Sequence, residues 1–133
     1  MDWIQTYTGK QFYPLAVRHE DIDIVDIAHA LSMQCRFNGH CRTFYSVAEH
    51  SVRVSHILED DDALAGLLHD AAEAYVGDLP RPVKGQLPAF VEAEEQLLAV
   101  IFARFGATYP LSAKVKAADD QLLATEARDL MGT

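Results

Sequence analysis

Hydrophobic residues along this chain follow two different periods. Near the start, aromatic and branched residues alternate with polar ones around Thr8-Gly9, which predicts a β-hairpin within residues 1–15. From Asp21 onward, apolar residues recur every three or four positions, the spacing of an amphipathic helix. The pattern therefore predicts an all-α bundle of about five or six helices over residues 21–130, preceded by a small hairpin.

Capping and helix-breaking residues set the limits of these helices. Ser46 followed by Glu49 is a capping box, so a helix is expected to begin there. Residues 76–88 contain three prolines and two glycines and are expected to be mainly loop. In all, helices are predicted from Asp21 to Cys35, Ser46 to about Leu58, Ala63 to about Tyr75, Phe90 to Phe105, and Ser112 to Leu130.

Length and charge restrict the class of protein. A chain of 133 residues can bury one core, so residues 1–133 are expected to form a single domain. The formal net charge of −9 disfavours binding to duplex nucleic acid, which normally needs a basic face. No apolar run reaches the roughly 18 residues of a membrane span, and the first residues, with no basic start followed by an apolar stretch, are not expected to be a secretory signal. Cys35 and Cys41 fit no common zinc spacing and are expected to be packing residues in a reduced, cytoplasmic setting.

Two of the predicted helices carry a polar residue in the middle of an apolar stripe. In the helix after Ser112, Asp119 lies at the centre of a face that also holds Glu126, whereas Asp120 points about a quarter-turn away. In the helix after Ser46, His50 is centred among apolar residues, whereas His56 lies on the opposite side. A desolvated carboxylate costs several kcal/mol unless a cation or hydrogen-bond donors compensate. Asp119 and His50 are therefore expected to have partners in the interior.

The predicted helix from Ala63 to Tyr75 has an aliphatic face that is complete without polar residues. On its other side lie Gly66, His69, Asp70 and Glu73, with His69 and Glu73 one turn apart. Two imidazoles and two carboxylates from these helices offer mixed nitrogen and oxygen ligation. Such a set suits a divalent ion that keeps positions for water. A hydrogen-bonded core histidine or an Asp–Arg pair would explain each residue taken alone, but not their coincidence.

The same residues resemble the signature of the HD-domain phosphohydrolase superfamily, a His, then a His-Asp pair, then a distant Asp. Here they stand in VAEHSVRVS, GLLHDAAEAYVGD and KAADDQLLATEARDL, within a resemblance that covers about Arg36 to Leu130. The motif GDLPRPVK, together with Glu73 and Arg36-Phe37, is similar to the subgroup of bacterial 5′-deoxynucleotidases and small deoxynucleoside triphosphate triphosphohydrolases. Phe37 stands where those deoxynucleotidases carry tryptophan.

The resemblance implies an HD-type helical bundle that hydrolyses a phosphate ester or anhydride of a (deoxy)nucleotide, most nearly as a 5′-deoxynucleotidase. One divalent ion (Mn, Co, Fe, Ni or Zn, with Mg as an alternative) would be held by His50, His69, Asp70 and Asp119. Glu73 would orient or deprotonate the attacking water, or support His69 from behind. Substrate contacts are expected from Arg36 and Lys84 on phosphate, Asp78 on a sugar hydroxyl and Phe37 on sugar or base, with His40 nearby.

Two other functions remain open at this point. One is release of triphosphate from a deoxynucleoside triphosphate, and the other is a non-catalytic HD module that binds a nucleotide for regulation. The expected partner is a small nucleotide, with no nucleic acid and no membrane, and a short bundle leaves a homodimer open.

Overall fold

A computed structural model describes residues 2–132, and within that range the chain is mainly helical with one small antiparallel sheet. In chain order the elements are β1 (Ile4–Gln5), β2 (Gln11–Phe12), α1 (Ile24–Ser32), α2 (Val47–Ile57), α3 (Asp60–Leu68), α4 (Glu73–Val76), α5 (Arg81–Lys84), α6 (Pro88–Phe105) and α7 (Ala113–Leu130). Two short 3-10 segments, His19–Asp21 and Arg36–Gly39, lie between them. The predicted all-α fold with an N-terminal hairpin is thus confirmed. Met1 and Thr133, which the domain prediction included, lie outside the described residues.

The hairpin is fastened to the helical part by its turn and by an aromatic side chain. Its register pairs Ile4 with Phe12, and Gly9 adopts the positive φ that the turn requires. Thr8 donates from both its backbone N and its Oγ1 to the carboxylate of Asp26 in α1, at 2.7 and 3.0 Å. Phe12 is fully buried and stacks on Tyr75 with ring centroids 3.8 Å apart. The hairpin therefore closes one side of the core.

The core is built around α6, with contributions from α1, α2, α3 and α7. The residues of α6 that are completely or almost completely buried are Leu97, Leu98, Ile101 and Phe102. They pack in one cluster with apolar side chains of the other helices, among them Leu31, Val47, Leu68 and Val115. Burial of each large aliphatic or aromatic side chain is worth about 1.5–3 kcal/mol, so this cluster holds the helices together.

Helices α2 and α3 approach each other closely at Gly66. A Cβ atom at this position would lie 2.5 Å from Leu58 Cδ1 and 3.3 Å from Val54 Cγ1. The glycine therefore allows α2 to lie close to the end of α3. Helix α2 carries His50, and His69 directly follows α3. Both helices also pack against α7.

The prediction of one continuous helix from Ala63 to Tyr75 is wrong. Helix α3 ends at Leu68, and residues 69–72 form turns before α4 begins. There the backbone N–H groups donate to the carbonyl oxygen three residues earlier. Ala71 donates to Leu68 in this way, and Glu73 donates to Asp70. This tighter winding, close to a 3-10 helix, advances each residue by more than the 100° of an α-helix.

The wheel orientation of that helix was also wrong. The buried face follows Ala65, Leu68, His69, Ala72 and Glu73 at helical spacing, so it is centred away from Leu64 and Leu67. His69 and Glu73, expected on an open polar side, are buried, and so is Gly66. Leu64 and Leu67, expected on the packed face, are 39% and 37% exposed. There are two smaller differences. Ile57 is exposed, although the pattern placed it on the packed face of α2. The segment predicted as loop contains the single helical turn α5. None of the described helices is long and apolar enough to cross a membrane.

Candidate metal centre

Three helical segments bring His50, His69 and Asp119 together. His50 lies in α2, whose N-cap Ser46 accepts a hydrogen bond from the Glu49 amide at 3.0 Å. His69 is the residue directly after α3, and Asp119 lies in the second turn of α7. One potential ligand atom from each of the three lies within 4.8 Å of the other two, so the cluster could hold a metal ion.

The two imidazoles use their Nδ1 atoms to bind the protein. His50 Nδ1 lies 2.8 Å from Glu126 Oε2, and His69 Nδ1 lies 2.6 Å from the carbonyl oxygen of Gly66. Because a carboxylate and a carbonyl only accept hydrogen bonds, the network assigns the ring hydrogen to Nδ1 in both residues. In the neutral ring, each Nε2 atom then carries the lone pair with which histidine binds a metal.

Both Nε2 atoms face carboxylate oxygens. His50 Nε2 is 2.9 Å from Asp119 Oδ1, and His69 Nε2 is 3.5 Å from the same oxygen. His69 Nε2 is also buried and forms no hydrogen bond to any residue in the range 2–132. Lone pairs of neutral imidazoles that face a carboxylate repel it unless positive charge lies between them. That charge comes either from protons on the rings or from a cation, and the mixed nitrogen and oxygen donors fit a divalent ion.

The pKa shifts of these groups show the same need for positive charge. Burial opposes the charged form of His50, but its hydrogen bonds to Asp119 and Glu126 raise its pKa overall. Burial likewise opposes a charged His69, whose pKa is nevertheless raised well above its ordinary value by the charges of Asp70 and Asp119. For Asp119, burial would raise the pKa, and the two imidazoles lower it far below the usual range. The shifts thus favour an ionised Asp119 with positive charge beside it.

Asp70, predicted as the fourth ligand, lies at the edge of this cluster. Its Oδ2 atom is 3.1 Å from His69 Nε2 and 3.7 Å from His50 Nε2. The Asp70 side chain is 20% exposed, whereas His50 is fully buried. Burial works to raise the pKa of Asp70, but the neighbouring His69 lowers it. Asp70 therefore connects the buried imidazoles with the solvent-facing side of the site.

A cavity of about 230 Å³ opens beside the cluster. Its walls include Asp70 and Asp119, both predicted as metal ligands. They also include the residues assigned to catalysis or substrate binding in the sequence analysis, namely Arg36, Phe37, Glu73, Asp78 and Lys84. Phe37 has a left-handed backbone conformation and lies against the Arg36 guanidinium, 5.1 Å from it. The structure therefore gathers the predicted residues around one space. His40 is exposed and does not line it.

Glu73 is the most strongly perturbed acid of the cavity. Its side chain is buried, and burial together with the negative charges of Asp70 and Asp78 raises its pKa to about 10. A carboxylate in this position needs nearby positive charge to be ionised at neutral pH.

The basic side chains that line the cavity differ in whether they already form ion pairs. Arg36 Nη2 binds Glu126 Oε1 at 2.8 Å, and Lys84 Nζ binds Glu94 Oε1 at 2.9 Å. Arg81, which the sequence reasoning did not select, also lines the cavity and has no ion pair among residues 2–132. Arg36 keeps spare donors, since its buried Nε has no hydrogen-bond partner within the described part of the chain.

Glu126 is the site residue whose role the sequence reasoning missed. It is 3% exposed and accepts from Arg36 with one oxygen and from His50 with the other. Its position in the same arc of α7 as Asp119 indicated an interior location but no partner. The carboxylate thus links the cavity wall at Arg36 to the candidate ligand His50.

Comparison with known proteins identifies two relatives over nearly the whole chain. The Uncharacterized protein YfdR of Escherichia coli is 46% identical over 130 residues, which cover 98% of this chain and 73% of YfdR. The Uncharacterized protein RCAP_rcc00048 of Rhodobacter capsulatus is 35% identical over 144 aligned positions, which cover 98% of this chain and 74% of that protein. No family model matches the chain. At these levels of identity and coverage, the chain belongs to the family of YfdR and RCAP_rcc00048.

Proposed function

We propose that this protein is a divalent-metal-dependent phosphohydrolase of the HD type that acts on a (deoxy)nucleotide, most nearly as a 5′-deoxynucleotidase. The observation that carries the proposal is the cluster of His50, His69 and Asp119, whose Nε2 and carboxylate atoms converge within 4.8 Å. Because Asp119 also lines the cavity that holds Glu73 and three basic side chains, a phosphorylated substrate has an approach to the cluster.

The residues around the cluster would have two roles, metal ligation and proton transfer. His50, His69 and Asp119 would hold the ion, with Asp70 as a fourth ligand from the open side. Bound there, a divalent ion would supply Lewis acidity toward a phosphoryl oxygen and water, and its charge would offset the burial and the negative charges that keep Glu73 protonated. Glu73, now ionised, would orient the attacking water and accept its proton.

The charges of the cavity favour a phosphate held together with a cation. Four carboxylates and three basic side chains line it, and two of the basic side chains are already paired with Glu126 and Glu94, so added positive charge would favour phosphate binding. Arg36 and Arg81, which line the cavity, would contact phosphate oxygens, because a guanidinium group can bind two such oxygens at once. Lys84 would add a point charge.

The size of the cavity indicates how much of the nucleotide it encloses. At about 230 Å³ it is smaller than typical sites for whole drug-sized ligands, which are roughly 300–1,000 Å³. The phosphate and sugar would be enclosed, with Asp78 accepting from a sugar hydroxyl and Phe37 packing on the sugar or base. The base would lie at the mouth, so weak base preference is expected.

The direct test is hydrolysis of a nucleotide panel. Metal-free protein is loaded with Mn²⁺ or Co²⁺ and incubated with ribo- and deoxyribonucleoside mono- and triphosphates, and release of phosphate, pyrophosphate and triphosphate is measured. We expect phosphate release from deoxynucleoside monophosphates that chelator abolishes. An occupied site with no product from any nucleotide would overturn the proposal and favour a regulatory module.

Glu73→Gln separates chemistry from metal binding. The variant should bind the ion with unchanged stoichiometry while turnover falls by about 10²–10⁴-fold, the usual contribution of a general base. Glu95→Gln, at an exposed position of α6, is the matched control and should keep full turnover. If Glu73→Gln loses the ion instead, Glu73 supports the ligands and is not the base.

A further inference from the structure

Cys35 and Cys41 lie in contact on either side of the turn Arg36–Gly39. Their Sγ atoms are 3.4 Å apart and both thiols are free and half-buried. The Cys41 Sγ also lies 3.6 Å from the carbonyl oxygen of Arg36. Between the two cysteines, Phe37 and Asn38 have φ values of 57° and 53°, a left-handed conformation that folds the chain back and brings the sulfurs together.

The segment that holds these thiols connects two elements of the metal centre. On one side, Cys35 forms a β-bridge with Ser46, the N-cap of α2, and Arg36 N donates to Tyr45 O at 2.8 Å. On the other side, Cys41 forms a β-bridge with Met131, and Arg42 N donates to Leu130 O at 2.8 Å, at the end of α7. The turn therefore joins the start of the His50 helix to the end of the Glu126 helix.

We propose that Cys35 and Cys41 are a reversible redox modification site that forms an intramolecular disulfide with a peroxide as the oxidant. The inference stands on the thiol geometry and does not depend on the proposed hydrolase function. Sulfurs already in contact, six residues apart and joined by a turn, need only a small movement to reach the bonded distance of about 2.05 Å.

The chemistry balances in two steps. One thiolate attacks a peroxide oxygen, an S–O bond forms, the O–O bond breaks and hydroxide leaves. The other thiolate then attacks the sulfenic sulfur, the S–S bond forms, the S–O bond breaks and a second hydroxide leaves. Two thiol protons convert these hydroxides to water, so two thiols are oxidised and one peroxide is reduced to two waters.

Closure of the disulfide would act on Arg36. Both outer ends of the segment are held by the bridges to Ser46 and Met131, so the turn itself must take up the shortening. Arg36 is the first residue of that turn, and its guanidinium is held 2.8 Å from Glu126. A displacement of about 1 Å exceeds the tolerance of this hydrogen bond, so oxidation weakens the link from Arg36 through Glu126 to His50.

Mass spectrometry of the full chain tests the disulfide itself. The metal-free protein is treated with a few equivalents of hydrogen peroxide and digested without reduction. We expect the intact mass to fall by about 2 Da, a peptide that links Cys35 to Cys41, and full reversal by dithiothreitol. Asp119→Ala should form the same link, because the thiols act without the metal site. Thiols that stay free, sulfinic acids without a link, or a link between two chains would overturn the proposal.

Metal affinity tests the effect on the site. After peroxide is removed, Mn²⁺ binding is measured by calorimetry for the oxidised and reduced forms. We expect binding to the oxidised form to be at least threefold weaker, and Cys41→Ser to bind equally before and after peroxide treatment. Equal affinities of the two forms of the unaltered protein would show that the disulfide does not act on Arg36.

Discussion

Asp119 and Asp120 are adjacent and chemically identical, yet only one of them lies in the site. Asp119 faces the two imidazoles with its carboxylate 2.9 Å from His50, whereas Asp120 is exposed about a quarter-turn away on α7. The difference follows from the rotation of one residue along a helix, about 100°. The pair therefore offers a matched comparison within the same turn.

We predict that Asp119→Ala abolishes binding of a divalent ion, whereas Asp120→Ala leaves it nearly intact. Removal of the Asp119 carboxylate takes away the only oxygen that both Nε2 atoms face within 3.5 Å in the described structure. Stoichiometry by elemental analysis, with affinity by calorimetry, checks this. Similar losses in the two variants would mean that the cluster is not a metal centre.

Glu126 shows what residue patterns alone could not provide. Its inward position followed from the spacing of apolar residues in α7. Its partners, however, lie 90 and 76 positions away in the chain, at Arg36 and His50. Only the packed structure brings these groups together, so the sequence indicated burial without a role.

We predict that Glu126→Ala weakens metal binding by about 10–100-fold, the usual effect of removing the group that orients a ligating histidine. The variant leaves the Nδ1–H of His50 without its acceptor and frees the ring to rotate. Glu126→Gln, whose amide oxygen can still accept from Nδ1, should recover part of the affinity. Unchanged affinity in Glu126→Ala, measured by calorimetry, would show that His50 is oriented by packing alone.

At the scale of elements, helix limits could be predicted where capping residues or glycines mark them. Ser46 and Ser112 both accept amide hydrogen bonds as N-caps, and Gly106 ends α6 in the left-handed conformation. The end of α3 could not be predicted, because neither a breaker nor a cap marks the change at His69. His69 and Glu73 lie inside because they share a face with the buried Ala65, whereas the sequence pattern centred the packed face on the half-exposed Leu64 and Leu67.

The hairpin offers a test of how elements are fastened together. We predict that Asp26→Ala lowers the free energy of unfolding by about 2 kcal/mol, because Thr8 loses two hydrogen bonds to a charged acceptor. Urea denaturation measures the change, and Glu95→Ala, at an exposed position, should stay within about 0.5 kcal/mol of the unaltered protein. A loss below 0.5 kcal/mol in Asp26→Ala would show that the stacking of Phe12 on Tyr75 alone secures the hairpin.

For the molecule as a whole, the main electrostatic feature is an excess of acidic residues, four of which line the cavity beside the cluster. The chain carries a formal net charge of −9, and four carboxylates line the cavity beside two histidines that are raised in pKa. Charges of one sign held close together destabilise a folded state until a counter-charge binds. The site is therefore expected to couple metal binding to stability.

We predict that Mn²⁺ at about 100 times its dissociation constant stabilises the protein by about 2.7 kcal/mol, which follows from binding to the native state alone. Thermal and urea unfolding with and without the ion measure this, and chelator should reverse the gain. Asp119→Ala should show no gain under the same conditions. A stabilisation of equal size in that variant would place the ion elsewhere on the acidic surface.

Anomalous diffraction from a crystal grown with Mn²⁺ tests the metal centre most directly. The account predicts one strong peak about 2.0–2.3 Å from His50 Nε2, His69 Nε2 and an Asp119 oxygen, with Asp70 as the next oxygen ligand. Glu126 should remain bonded to His50 Nδ1. An absent peak at saturating Mn²⁺, or a peak only among exposed carboxylates, would contradict the account.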